Sequence, residues 1–149
     1  MSDQASLRWV RLARHLGASP ERVFRVWTVP EELTRWFPLW VEGSLARGSR
    51  SELVFTQRRM WIDVQAAEPN SSFVFRRPWL PDDSWITTVT VTIERSGTGS
   101  LVRLEDGPFD IARPEVLAAF EEALVGWAEV LAFLRAHVDF FVDLRPTDF

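Results

Sequence analysis

One stretch near the end of the chain, PEVLAAFEEALVGWAEVLAFLRAH from Pro114 to His137, limits what the rest can fold into. Leu117, Phe120, Leu124, Trp127, Leu131, Leu134 and Val138 recur at alternating gaps of three and four, which places them on one stripe of an α-helix. Pro114 suits the first helical position, where its missing N–H costs nothing, and Glu115, Arg135 and His137 suit the helix dipole. At 1.5 Å per residue such a helix is about 36 Å long, so it needs an extended apolar surface to lie on. Gly126 interrupts it at a cost of about 1 kcal/mol relative to Ala, which predicts a close approach by Trp127 or a strand.

The surface is found upstream. Residues 7–16 alternate as a strand, with Val10, Leu12 and Leu16 on one face and Trp9, Arg11 and His15 on the other. Ser19-Pro20-Glu21 starts a helix carrying Val23, Phe24 and Trp27, and Val29-Pro30-Glu31-Glu32 starts a second that Pro38 stops. The period then becomes strand-like over 40–46, 51–57, 59–67, 72–79, 84–95 and 100–106, with turn residues between. Met60, Ile62, Val64 and Ala66 share a face, as do Phe73 and Phe75, and Trp85, Val89, Val91 and Ile93; Thr88, Thr90 and Thr92 point outward. Alternation of this kind marks an antiparallel sheet with one covered face, and only the final helix is long enough to cover it. The expected architecture is α+β: about seven strands curved around the C-terminal helix in a helix-grip arrangement, with two short helices after the first strand. Residues 1–149 are expected to form one domain with a core at 7–137 and an apolar tail at 138–149.

Composition narrows the function. A net charge of −4 gives no pull toward nucleic acid. There is no Cys, MSDQASLRWVR has no basic-then-apolar targeting pattern, and Glu121, Glu122 and Glu129 break up the long helix, so no membrane span and a cytoplasmic location are expected. Eight Trp and eleven Phe with no Tyr supply bulky apolar surface with few hydroxyls. His15 and His137 have no ligand partners nearby in sequence, so neither a metal site nor a cofactor is expected.

Three local patterns carry a family resemblance. They are Arg14, Leu16 and Ala18-Ser19-Pro20-Glu21-Arg22-Val23-Phe24, continuing through Thr28, Pro30 and Leu33 to Arg35-Trp36-Phe37; Gly99 to Leu104 with Gly107-Pro108-Phe109; and Gly126-Trp127 with Leu131 and Leu134. The chain resembles the START-like (SRPBCC, birch-pollen-allergen-like) superfamily, and within it homologues of the C-terminal domain of the activator of the heat-shock protein 90 ATPase. It departs from the pattern at Arg59-Met60, where a glycine is common, and in running on past the helix as VDFFVDLRPTDF. The resemblance implies a cavity between helix and sheet that binds hydrophobic or amphipathic small molecules, and in some relatives catalyses cyclisation or dehydration.

The expected lining residues are Trp36, Phe37, Phe55, Ile62, Phe75, Trp85, Thr87, Phe120, Leu124 and Trp127, with Trp36, Phe37 and Phe120 at the mouth. Arg14, Arg77, Thr87 and Asp106 fall inward on strand parity and are the polar residues that would orient a ligand. Asp106, its pKa raised by burial, is the one acid or base available. Arg58, Arg59, Arg76 and Arg77 gather at one end of a hairpin, where an outward Asp63–Arg76 cross-strand pair is expected. Three functions follow: a hydrophobic small-molecule binder as the leading one, a lyase or cyclase on a polyketide-like or aromatic substrate, and a protein-interaction module related to chaperone activation. The apolar tail around Phe140 and Phe141 is expected to make a homodimer contact.

Overall fold

The computed structural model describes residues 4–149; the first three residues of the N-terminal stretch lie outside it. Strands β1 (Leu7–Leu16), β2 (Trp40–Glu42), β3 (Arg50–Val54), β4 (Arg59–Glu68), β5 (Ser72–Pro78), β6 (Ile86–Ser96) and β7 (Gly99–Asp110) form one antiparallel sheet in the order β1-β7-β6-β5-β4-β3-β2. Helices α1 (Pro20–Thr28) and α2 (Pro30–Leu33) follow β1, and α3 (Pro114–Phe140) closes the chain. The α+β helix-grip fold expected from the order of elements is the one observed. Ser19 caps α1 by accepting the Arg22 N–H at 3.3 Å. Among the described residues, no helix is long and apolar enough to cross a membrane.

Strand parity places most inward residues correctly. Met60, Ile62, Val64, Phe73, Phe75, Val89, Val91, Ile93, Val102 and Leu104 are all buried. Ala66 is an exception. The pairing of β4 with β5 slips between Val64 and Ala66, so Ala67 rather than Ala66 stands opposite buried Phe73. A bulge adds one residue and turns every later side chain to the other face. Asp63 does lie opposite Arg76, but its ion pair is with Arg50 on β3, through contacts of 2.6 and 2.8 Å.

The helix differs more. Its buried face runs through Val116, Ala119, Ala123, Trp127, Val130, Leu131 and Leu134, while Leu117 and Leu124 are exposed at 37% and 39%. Both stripes satisfy the helical period, and the alanines decide between them because small side chains let the helix backbone lie close to the sheet. Ala119→Leu is therefore expected to cost about 1–3 kcal/mol by overpacking. Leu124→Gln should cost under about 1 kcal/mol as a surface change. Urea denaturation of the two variants measures both, and the reverse ranking would restore the leucine stripe.

Candidate functional site

An aromatic chain runs through the interior. Trp27 meets Trp36 edge-on at 4.8 Å, Trp36 stacks on Phe37 at 5.6 Å, and Phe37 reaches Phe55 at 5.7 Å and Trp127 at 5.9 Å. Trp36 lies at the closed end, wholly buried, with its indole N–H donated to Val26 O at 2.9 Å. Phe37, just past α2, therefore faces the gap beneath α3.

That gap holds a cavity of about 90 Å³. Phe37, Phe55, Met60, Trp79 and Phe149 line it from the sheet side and the tail; Ala123, Gly126, Trp127 and Val130 line it from α3; Arg58, Arg77, Glu122 and Glu129 supply its polar edge. No atom lies within 4 Å of a Cβ built on Gly126, so the glycine leaves open space at the cavity wall and admits no close contact, contrary to the sequence-based expectation. Of the expected lining residues, Phe37, Phe55 and Trp127 come together here, joined by Arg77 from the polar set. The others do not reach it. Ile62 and Phe75 are filled-in core, and Trp36 sits behind Phe37. Phe120 packs on Phe109 at 5.5 Å, and Leu124 faces solvent because the helix is rotated toward Ala123. Trp85 donates to Pro108 O at 3.1 Å outside the cavity. The Arg14 guanidinium, on edge strand β1, bonds only Ala13 O, at 3.1 Å, among the described residues.

Behind the cavity wall lies a buried polar knot. Arg77 and Thr87 are directly opposed across β5 and β6, and Asp106 faces Val89 one step further on the same surface. Trp127 donates its indole N–H to Asp106 Oδ2 at 2.8 Å, and Trp79 donates to Thr87 Oγ1 at 2.7 Å. The two indoles that wall the cavity are thus held from behind by strand residues that do not touch its contents. Asp106 is wholly buried, and among the described residues its Oδ1 has no hydrogen-bond partner. Burial pushes its pKa up, against the opposing pull of the Thr87 hydroxyl, the Trp127 N–H and the Arg77 charge. Burial lowers the Arg77 pKa to about 10, so at neutral pH it remains a cation.

The tail completes the enclosure. Phe141 adopts the left-handed conformation (φ 57°) that ends α3 and turns the chain back. Arg145 then donates to the carbonyls of Thr34, Arg35, Phe37 and Pro38, between 2.9 and 3.3 Å, at the exposed end of α2. Thr56 N–H donates to Phe149 O at 2.8 Å, and the Phe149 ring packs edge-on against Phe55 (5.4 Å) and Phe133 (5.2 Å). Sequence periodicity missed Phe149 and Arg145 because both act through contacts far along the chain. The only local signal was an apolar tail too rich for a solvated end.

Two further hollows open on the surface. One of about 260 Å³ adjoins the cavity through the shared walls Arg58, Met60, Arg77 and Trp79, and adds Arg59, Leu80, Pro81 and Asp83. The other, about 350 Å³, lies on the outward sheet face between exposed Arg11, Arg103 and Glu105. Among the described residues, no cluster of His, Asp or Glu is arranged to hold a metal ion.

A bent sheet gripping one long helix over a partly apolar cavity defines a START-like protein. A family model for activator of Hsp90 ATPase homolog 1-like proteins matches residues 17–139, and the chain belongs to that family. Among solved structures it is similar to protein MLL2253 from Mesorhizobium loti, at 25% identity and a TM-score of 0.75, over 86% of this chain and 94% of that one. It is also similar to the Aha1 dimer from Colwellia psychrerythraea, at 17% identity and a TM-score of 0.78, over 89% and 97%. CalU16 from Micromonospora echinospora, at 22% identity and a TM-score of 0.72, matches over 93% and 79%. These last two likenesses are of fold. No curated protein matches the chain.

The raised pKa of Asp106 has a signed consequence. The folded state binds that proton more readily than the unfolded chain, so the cost of ionised Asp106 is absent below the unfolded carboxylate range and complete above the folded pKa. Asp106→Asn keeps an acceptor for Trp127 and removes the charge. Its stability relative to wild type should rise with pH and then level off, measured by urea denaturation from pH 4 to 8. A pH-independent difference would mean that burial does not strain this carboxyl.

Proposed function

We propose that the protein binds a small hydrophobic or amphipathic molecule between α3 and the sheet. The observation that carries this is the cavity itself: its walls are aromatic, two of its indoles are fixed from behind, and Gly126 leaves space in the middle of a helix that alanine would stabilise. At about 90 Å³ it lies below the roughly 300–1,000 Å³ of drug-sized ligand pockets, so the occupant is of single-ring size or the Phe149 segment moves aside for it. Asp106 lies behind Trp127 and outside the lining, which favours binding over acid–base catalysis on a cyclase substrate. The test is a saturation-transfer NMR titration with toluene, an uncharged apolar probe of single-ring size. Wild type should bind it, Gly126→Leu should lose binding by filling the cavity, and Phe149→Ala should bind more tightly by opening it. Equal binding by all three would place the probe elsewhere and reject the cavity as the site.

We further propose a homodimer through the tail. Phe140 and Phe141 are 61% and 80% exposed beside Val142 and Leu144, a patch of the kind that marks interaction surfaces. The similar Colwellia psychrerythraea structure is described as a dimer, which supports a second copy as the occupant. Sedimentation should show wild-type dimers and Phe140→Asp/Phe141→Asp monomers; a double variant that sediments like a dimeric wild type would remove the tail from the interface.

A further inference from the structure

The cavity and the adjoining 260 Å³ hollow meet at two guanidinium groups that, among the described residues, have no carboxylate in ion-pair contact. Arg77 is half-buried. Its Nε and Nη2 donate to Pro78 O at 3.1 and 3.0 Å, and its plane lies 3.5 Å over the Trp79 ring, which leaves Nη1 without a hydrogen-bond partner among the described residues. Arg58 sits over the Phe55 ring at 4.7 Å; its carbonyl accepts from the Phe55 N–H at 2.8 Å, and its guanidinium makes no ion pair or hydrogen bond among them either. The neighbouring charges are accounted for differently. Arg59 lies between Glu42 at 3.1 Å and Glu52 at 2.9 Å, and Asp83 accepts from Trp61 at 2.8 Å. Asp106 and Glu122 attract Arg77 electrostatically without an ion-pair contact, while Arg58 repels it. Glu129 is the remaining acid on the cavity edge, and it is exposed on α3.

Burying a guanidinium beside another without a contacting anion is costly, and a planar fork of this kind matches a carboxylate. We propose that the ligand is an organic acid: an apolar part of about ring size in the cavity between Phe37, Trp127 and Phe149, with its carboxylate held by Arg77 and Arg58. This rests on the cavity being the binding site and names the chemical class the site selects. Trp79 shapes both compartments, since its ring carries Arg77 and its indole is tied to Thr87.

The test compares 3-phenylpropionate, 3-phenylpropanamide and 3-phenylpropylamine, of near-equal shape, as competitors of toluene at pH 7. In wild type the acid should displace the probe at a concentration at least about tenfold lower than the amide, with the amine weakest. Arg77→Gln and Arg58→Gln should each reduce the ratio of acid to amide affinity. Arg58 is on an exposed turn, so its variant keeps the comparison available if Arg77→Gln does not fold. Equal competition by acid and amide, or a preference for the amine, overturns the organic-acid assignment and leaves the cavity intact as a binding site. A wild-type protein that does not take up the uncharged probe overturns both.

Discussion

The hydrogen bond from Trp127 to Asp106 fixes the helix to the sheet where the two part company. Most of α3 is held by apolar packing, which is strong but tolerant of small slides and rotations. A buried indole N–H aimed at a buried carboxylate oxygen at 2.8 Å sets one rotation. With Trp127 so placed, Ala123 and Val130 face inward on either side of it, Gly126 opens onto the cavity, and Leu124 is left outside. The same bond makes Trp127 one wall of the cavity. Fold and candidate site therefore share this constraint.

Around that wall the chain assembles the enclosure from distant parts. Phe37 comes from the end of α2, Phe55 and Arg58 from the β3–β4 turn, Arg77 and Trp79 from the end of β5, and Phe149 from the last residue described. Arg145 ties the returning tail to the carbonyls at the end of α2, so one strap both caps a helix and seats Phe149. Charge gathers on one side: buried Asp106 behind the tryptophans, half-buried Arg77 and exposed Arg58 toward the mouth. The hollow is apolar at its centre and cationic at one rim.

Much of the fold was legible because it rests on local periodicity. Strand alternation placed Phe73, Phe75, Val89, Val91 and Leu104 inward, and Ser19-Pro20-Glu21 opened α1. Alternation also put Arg77, Thr87 and Asp106 on the inner surface. Where it failed, a longer-range contact had decided. The slip beyond Val64 turned Ala66 outward, and the choice between two apolar stripes on α3 depended on how closely its backbone approaches the sheet. The candidate site was less legible than the fold for the same reason. Phe149, Arg58 and Trp79 reach the cavity through the tail, a turn and a cross-strand bond, and no spacing in the sequence encodes those meetings. Trp85 and Phe120 looked equivalent to Trp127 by pattern, yet each found a partner outside the cavity, at Pro108 and Phe109.

The central claim is that the space between α3 and the sheet admits a small apolar molecule. Two-dimensional ¹H–¹⁵N NMR of the protein titrated with toluene tests it most directly. Toluene in the cavity should produce saturable shifts at the Gly126 amide, the Trp127 indole N–H and the Phe149 amide, with the outward sheet face unmoved. Shifts confined to the hollow around Arg11, Thr90 and Arg103, or none at all up to the solubility of toluene, would contradict it.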